Sequence, residues 1–106
     1  MDTNRSERLR EALRETAAEF LSREATRQSL ITVTNTSLSE DGKRGQVFIT
    51  VLPTEAEQSA LDFANRHRTE LGHYFKERVR GAALPYVEFL IDRGEKNRQR
   101  LDEIAN

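Results

Sequence analysis

The chain of 106 residues has no cysteine, no tryptophan, two prolines, two histidines and one methionine. Each shortage closes a class of chemistry. Without Cys there is no disulfide framework, no thiolate metal site and no sulfur nucleophile. No apolar run approaches the length of a membrane span or a signal-peptide core, so no membrane partner is expected and the expected compartment is cytoplasmic. Charge of one sign is lacking too: 17 Lys and Arg against 18 Asp and Glu leave a formal net charge of −1. That excludes bulk attraction to nucleic acid. Any such binding must come from local segregation of cations.

Apolar residues are also scarce. A hydrophobic fraction of 36% beside a charged fraction of 33% resembles the composition of disordered chains and supplies a thin core for one domain, residues 1–106. Periodicity decides for folding. Residues 3 to about 24 read as an amphipathic helix, with Leu9, Leu13, Ala17, Phe20 and Leu21 at spacings of three and four and Thr3 or Asn4 as N-cap. Ser29 to Ser37 alternates, Ile31 and Val33 against Thr32 and Thr34, and Gln46 to Leu52 alternates again, with Val47, Ile49 and Val51 on one face. "SEDGKRG" supplies the turn of a hairpin.

Pro53 ends the second strand, and Thr54 with Glu57 forms a capping-box pattern that opens a helical run to about Arg80, closed by Gly81. Leu84 to Ile91 reads as a third strand with Val87, Phe89 and Ile91 inward and Tyr86 and Glu88 outward. Asp92 and Glu95 mark the start of a last short helix carrying Leu101 and Ile104. The fold class is α+β, in the order α-β-β-α-β-α. One three-stranded sheet with helices packed on one face is the economical solution.

The second helix is too long to be straight. Uninterrupted from residue 54 to 80 it would span about 40 Å, against a diameter of about 34 Å for a chain of this size. Ala60, Leu61, Ala64, Leu71 and Phe75 share a stripe, and Arg68 falls in its middle, where only snorkelling would accommodate it. Thr69 and Glu70 would suit a restart. Because the apolar phase survives the junction, the pattern predicts a kink within residues 65 to 70 rather than a loop.

Enzyme templates fail in turn: there is no phosphate-binding Gly loop, no dinucleotide fingerprint and no nucleophile elbow. His67 and His73 lie six residues apart, which turns them well away from each other on a helix and rules out chelation of one metal. No catalytic residue, metal site or cofactor is expected.

Two basic segments remain. "GKRG", residues 42 to 45, matches the G-x-x-G of KH domains, but that loop joins two helices and this one joins two strands. It reads as a hairpin tip from which Lys43 and Arg44 can still touch a phosphate. On the second helix Arg66, His73, Lys76 and Arg80 face outward between Glu70 and Glu77, with Arg78 toward the flank. That is the pattern of a solvated salt-bridge ladder. From Arg66 to Arg80, however, there are five Lys or Arg against two Glu in a chain that is acidic overall. His73 and Tyr74 add groups able to stack on a base. An RNA surface made of Arg66, Arg68, His73, Lys76, Arg78 and Arg80, with Lys43 and Arg44, is therefore the second reading.

The order of elements and its landmarks resemble bacterial ribosome-binding factor A. The carrying stretches are "LITVTNTSLSEDGKRGQVFITVL", "LPYVEFLID" and "RLDEI", spread over roughly residues 5 to 104. The resemblance implies a KH-like type II domain in which G-x-x-G is replaced by a helix kink marked Ala-x-Gly. It also implies a non-enzymatic assembly factor, expected to be monomeric, that binds the small ribosomal subunit and its ribosomal RNA during late maturation. Aligned on the third strand, that kink falls on His67-Arg68-Thr69, where this chain has neither the Ala nor the Gly. The competing expectation is a KH-like protein-interaction module without RNA binding.

Overall fold

Apolar residues at every third or fourth position wind the first segment into α1 (Thr3–Glu24). Leu13, Ala17, Phe20 and Leu21 form its buried stripe. Thr16 lies in that stripe, and its hydroxyl donates to the Ala12 carbonyl at 2.6 Å, so no polar atom there is left without a partner. The computed structural model describes residues 3–24, 29–79 and 86–94, with side chains 3–6 and 24 excepted. The expected caps at Thr3 or Asn4 rest on side chains that are not described, and Arg80, the Gly81 stop and the last helix with Leu101 and Ile104 lie outside the described residues.

β1 (Leu30–Leu38) and β2 (Arg44–Leu52) form an antiparallel hairpin, Leu30 opposite Leu52 and Leu38 opposite Gly45. Its turn is tied by side chains. Asp41 Oδ1 accepts from the Ser39 hydroxyl at 2.6 Å and from the Lys43 N–H at 3.0 Å, while Ser39 Oγ accepts from the Arg44 N–H at 3.0 Å. Gly42, at φ 71°, takes the left-handed position that a side chain would resist.

The simple alternation expected along β1 stops at Val33. Pairing slips between Val33 and Asn35, leaving Thr34 as the extra residue of a bulge. Its hydroxyl is held by the Phe48 carbonyl at 3.3 Å and Asp92 Oδ2 at 2.5 Å. Beyond the bulge Thr36 turns inward and donates to the Arg10 carbonyl of α1 at 3.0 Å, which ties strand to helix.

After a cis Leu52–Pro53 peptide the chain makes a 3-10 turn over Thr54–Ala56 and enters α2 (Glu57–Arg66). The capping box expected at Thr54 and Glu57 is not the entry used. Thr54 is already inside the turn, whose cap position is the extended Pro53. α3 (Arg68–Arg78) follows after one residue and ends at Val79, a β-branched residue in extended conformation two positions short of the expected glycine stop.

β3 (Tyr86–Ile91) pairs with β2 in parallel, Val47 beside Phe89 and Ile49 beside Ile91, so the sheet order is β1-β2-β3. Parallel neighbours need a crossover, and α2 with α3 provide it. The helices cover one face: α1 lies on β1 and α3, and α2 lies on β3 and β2. Beneath them Val47, Ile49, Val51, Val87 and Phe89 meet Leu13, Phe20, Ala64, Leu71 and Phe75, all buried. Each fully buried Val, Leu, Ile or Phe contributes about 1.5–3 kcal/mol relative to exposure. Leu61, expected in this core, is only partly buried at its margin. The outer edge of β3 is blunted by Asn65 of α2, whose Oδ1 accepts from the Phe89 N–H at 3.2 Å. No described helix covers the other face of the sheet, where Leu30, Leu52 and Tyr86 are exposed.

Candidate nucleic-acid interface

The break between α2 and α3 is a single residue. His67 has φ −100° and ψ 21°, about 60° in ψ from helical values. Its N–H is shared between the carbonyls of Phe63 at 3.2 Å and Ala64 at 3.3 Å, and its own carbonyl still accepts from the Leu71 N–H at 3.2 Å. The hydrogen-bond ladder is thus distorted without being abandoned. The apolar phase continues across it, with Ala60 and Ala64 buried before the break and Leu71 and Phe75 after it. The His67 ring lies 4.4 Å from that of Phe63, and its Nδ1 is 3.0 Å from Glu70 Oε1. Half-buried His67 has a local structural role, while His73 is exposed on α3.

Arg68 resolves its awkward place in the apolar stripe by snorkelling. Its guanidinium carbon lies 4.8 Å from the centroid of the Tyr86 ring on β3, and its Nη1 donates to the Tyr86 hydroxyl. Nε stays behind, buried and without an acceptor among the described residues. Tyr86 is in turn fixed to the hairpin, because its N–H donates to the Lys43 carbonyl at 2.9 Å and it stands beside Arg44 in register. Arg68 and the adjacent pair Lys43 and Arg44, far from it in sequence, therefore border one exposed tyrosine. Sequence alone places Tyr86 only as outward-facing. Its role comes from parallel pairing, which strand periodicity does not reveal.

The far end of α3 is different. Arg78 forms an ion pair with Glu19 of α1, and Arg23 lies 3.8 Å from the same carboxylate. Arg23 also donates to the Tyr74 hydroxyl at 3.0 Å and sits 5.5 Å from that ring's centroid, while Phe20 meets Tyr74 edge-on at 5.8 Å. Arg78 and Tyr74 are thus each engaged with a side chain of α1. Arg66, His73 and Lys76 remain on the exposed surface, and the first and last of these have no ion pair among the described residues. Among the described residues Glu70 meets His67 instead of a member of the expected ladder. Arg80 lies outside the described residues.

Among the described residues there is no cluster of three or more His, Asp or Glu able to hold a metal. No described helix is long and apolar enough to cross a membrane.

The sequence model for ribosome-binding factor A matches residues 5–105. The chain belongs to the ribosome-binding factor A family. It is 37% identical over 106 residues to ribosome-binding factor A of Thermodesulfovibrio yellowstonii, covering 94% of this chain and 90% of the relative. With the Halorhodospira halophila protein it shares 30% identity over 112 residues, covering 98% and 89%. The crystal structure of ribosome-binding factor A from Thermus thermophilus superposes with a TM-score of 0.72 at 29% identity, over 83% of this chain and 97% of that one. A homology model of the Thermus thermophilus factor, fitted into a cryo-EM map of a 30S–RbfA complex, gives 0.70 at 30% identity over 81% and 93%.

The KH-like type II architecture expected from the resemblance is the observed one, with one mixed sheet and the helix break in the expected place. In this ribosome-binding factor A family member the break needs no glycine. At φ −100° His67 lies in the bridge region, which any L-residue can enter. The phenyl group of Phe63 and the carboxylate of Glu70 hold it there.

Proposed function

We propose that this protein is a non-catalytic maturation factor of the small ribosomal subunit, working in the cytoplasm and bound to the subunit through its ribosomal RNA. One observation carries the reading: the full-length likeness to ribosome-binding factor A, including a Thermus thermophilus relative fitted into its complex with the 30S subunit. The cations at the helix break and hairpin tip supply the contact chemistry. Arg66, Lys43 and Arg44 are exposed and lack carboxylate partners among the described residues, so phosphates can reach them without first breaking an ion pair. Lys76 is a further exposed cation along α3.

With a net charge of −1, long-range attraction is weak and local contacts must dominate. Association with purified immature small subunits should weaken as salt rises, because each bound cation releases condensed counterions. A folded variant with Arg66→Ala and Lys76→Ala should bind less tightly and show a slope flattened by up to about two units. Association that ignores salt, or no association at all, would favour a protein-interaction module instead.

A further inference from the structure

On the face of the sheet away from the described helices, at the hairpin end, lies an open depression of about 720 Å³. Ser37, Lys43, Arg44, Gln46, Tyr86 and Glu88 line it. It is on the face away from the helices, because Arg44 and Gln46 alternate with buried Gly45 and Val47, and Tyr86 and Glu88 alternate with buried Val87 and Phe89. Its volume is in the range that holds a small organic ligand. Its walls are unusual for an open sheet: an aromatic ring, two cations and an amide–carboxylate pair.

We propose that this depression is a subsite for one unpaired nucleotide of RNA, whose base stacks on Tyr86 and whose phosphate lies against Lys43 and Arg44. The inference rests on the ribosomal reading above and adds to it the class of RNA, single-stranded, and the residue that reads it.

Four observations converge. Tyr86, the first residue of β3, is 63% exposed, and its π-face can accept any base. The ring is already held in place. Arg68 stacks on it and donates to its hydroxyl, and the Tyr86 N–H is bonded to the Lys43 carbonyl, so little freedom remains to be lost on binding. Arg68 touches the ring but is not among the walls of the depression, so the side it covers is not the side a base would use. Arg68 is thus a positioning residue here.

The third observation is polarity. Arg44 stands beside Tyr86 in register, and Gln46 stands beside Glu88 one pleat further along the same face, about 6.7 Å away. A phosphate is repelled by Glu88 and attracted by Lys43 and Arg44, which sets the orientation of the nucleotide. Its backbone lies at the hairpin end and its base edge points to Gln46 and Glu88, where an amide and a carboxylate can meet base donors and acceptors. The fourth is rigidity of the cationic rim. Ser39 and Asp41 bind the backbone N–H groups of Arg44 and Lys43, which fixes where both side chains start.

The absence of tryptophan makes the test clean. Tyr86→Trp places a single indole in the full-length chain, and a stacked base quenches indole emission. Titration with an eight-nucleotide single-stranded RNA should give saturable quenching, and the same RNA annealed into a duplex should give little. Lys43→Ala with Arg44→Ala, in the Tyr86→Trp background, should weaken quenching by about tenfold. In the otherwise unchanged chain Tyr86→Leu should weaken single-strand binding by on the order of tenfold, the usual loss for one stacked base. Circular dichroism checks the fold of each variant.

Equal quenching by duplex and single strand, or by a free nucleoside monophosphate at the same concentration, would overturn the subsite. So would a folded Tyr86→Leu protein that binds single strands like its parent. Co-sedimentation with small subunits is read separately on the unchanged protein. Quenching without subunit association leaves the subsite standing and removes the ribosomal reading, while association without quenching does the reverse.

Discussion

The two ends of α3 each carry an arginine, and the two have opposite fates. Arg68, at the first position, lies over an exposed tyrosine with one of its nitrogens buried and unpartnered. Arg78, at the last, is ion-paired to Glu19 across the seam with α1. Ten residues turn them about 80° apart on the helical wheel, Arg68 toward the apolar stripe and Arg78 toward the flank. The facing element matters: β3 turns the Tyr86 ring to Arg68, whereas α1 offers Arg78 a carboxylate already attended by Arg23. A cation becomes available to a ligand when nothing in the fold needs it.

Both ends rest on the same core, so the largest effect comes from removing that common support. Phe89 is 2% exposed and lies between β2 and the helices. Phe89→Ala should lose about 3–5 kcal/mol in urea unfolding, since a buried phenyl leaves a cavity that neighbours fill poorly. A loss below about 1 kcal/mol would show that the helix layer does not bear on this strand, and the comparison of its ends would lose its footing.

Binding should split the two ends next. Lys43→Ala with Arg44→Ala, at the Arg68 end, should flatten the salt dependence of subunit association by up to about two units. Arg78→Ala should leave that slope within error, because its charge is spent on Glu19. If Arg78→Ala flattens the slope as much, the ion pair opens on binding and the two ends are equivalent.

Much of this is legible in the sequence, and the misses have physical causes. The span of α1, the hairpin and the inward set of β3 follow from periods of 3.6 and 2, which few other arrangements satisfy. The break is legible because a charged residue in an apolar stripe and an excess of length both point to the same few positions. The bulge is not, since Thr32, Thr34 and Thr36 repeat one residue type through the slip, and alternation reads the same with or without it. Nor is the site around Tyr86, which depends on β3 lying parallel to β2. The contacts of Arg78 and Tyr74 with α1 are not legible either, because a single helix viewed alone does not show what the neighbouring helix will place against it.

A smaller effect concerns stability at Arg68 itself. Its orphaned Nε–H costs about 1–3 kcal/mol by the usual penalty for a buried donor. Against that stand a cation–π contact worth about 0.5–1 kcal/mol at an exposed site and one hydrogen bond of about 0.5–1.5 kcal/mol. These nearly cancel. Arg68→Met, which keeps the aliphatic stem, should change urea stability by less than about 1 kcal/mol in either direction. A loss above about 2 kcal/mol would make Arg68 a structural clamp on β3. At the other end, a double-mutant cycle on Arg78 and Glu19 should return about 0.2–1 kcal/mol, the range for solvent-exposed pairs, given that both side chains are 40% exposed.

The finest distinction lies in the hairpin that carries Lys43 and Arg44. The Ser39 hydroxyl, and after it the Lys43 N–H, hold the Asp41 carboxyl below its ordinary range. A carboxyl depressed in the folded state binds its proton more readily when unfolded, so its stabilising effect is complete above the unfolded value of about 3.9 and is lost as pH falls through the lower folded value. The turn should therefore be indifferent to pH near neutrality and loosen only in acid. Ser39→Ala removes the first of the two donors and should move the Asp41 midpoint up toward the ordinary value, measured by NMR titration of its side-chain carboxyl. The Arg44 N–H loses its acceptor in the same change, so exchange at that amide should quicken while the Phe89 amide, held by Asn65, stays protected. An unmoved Asp41 midpoint would show that the turn is held by its backbone alone, and that the cations at its tip are no better placed than those along α3.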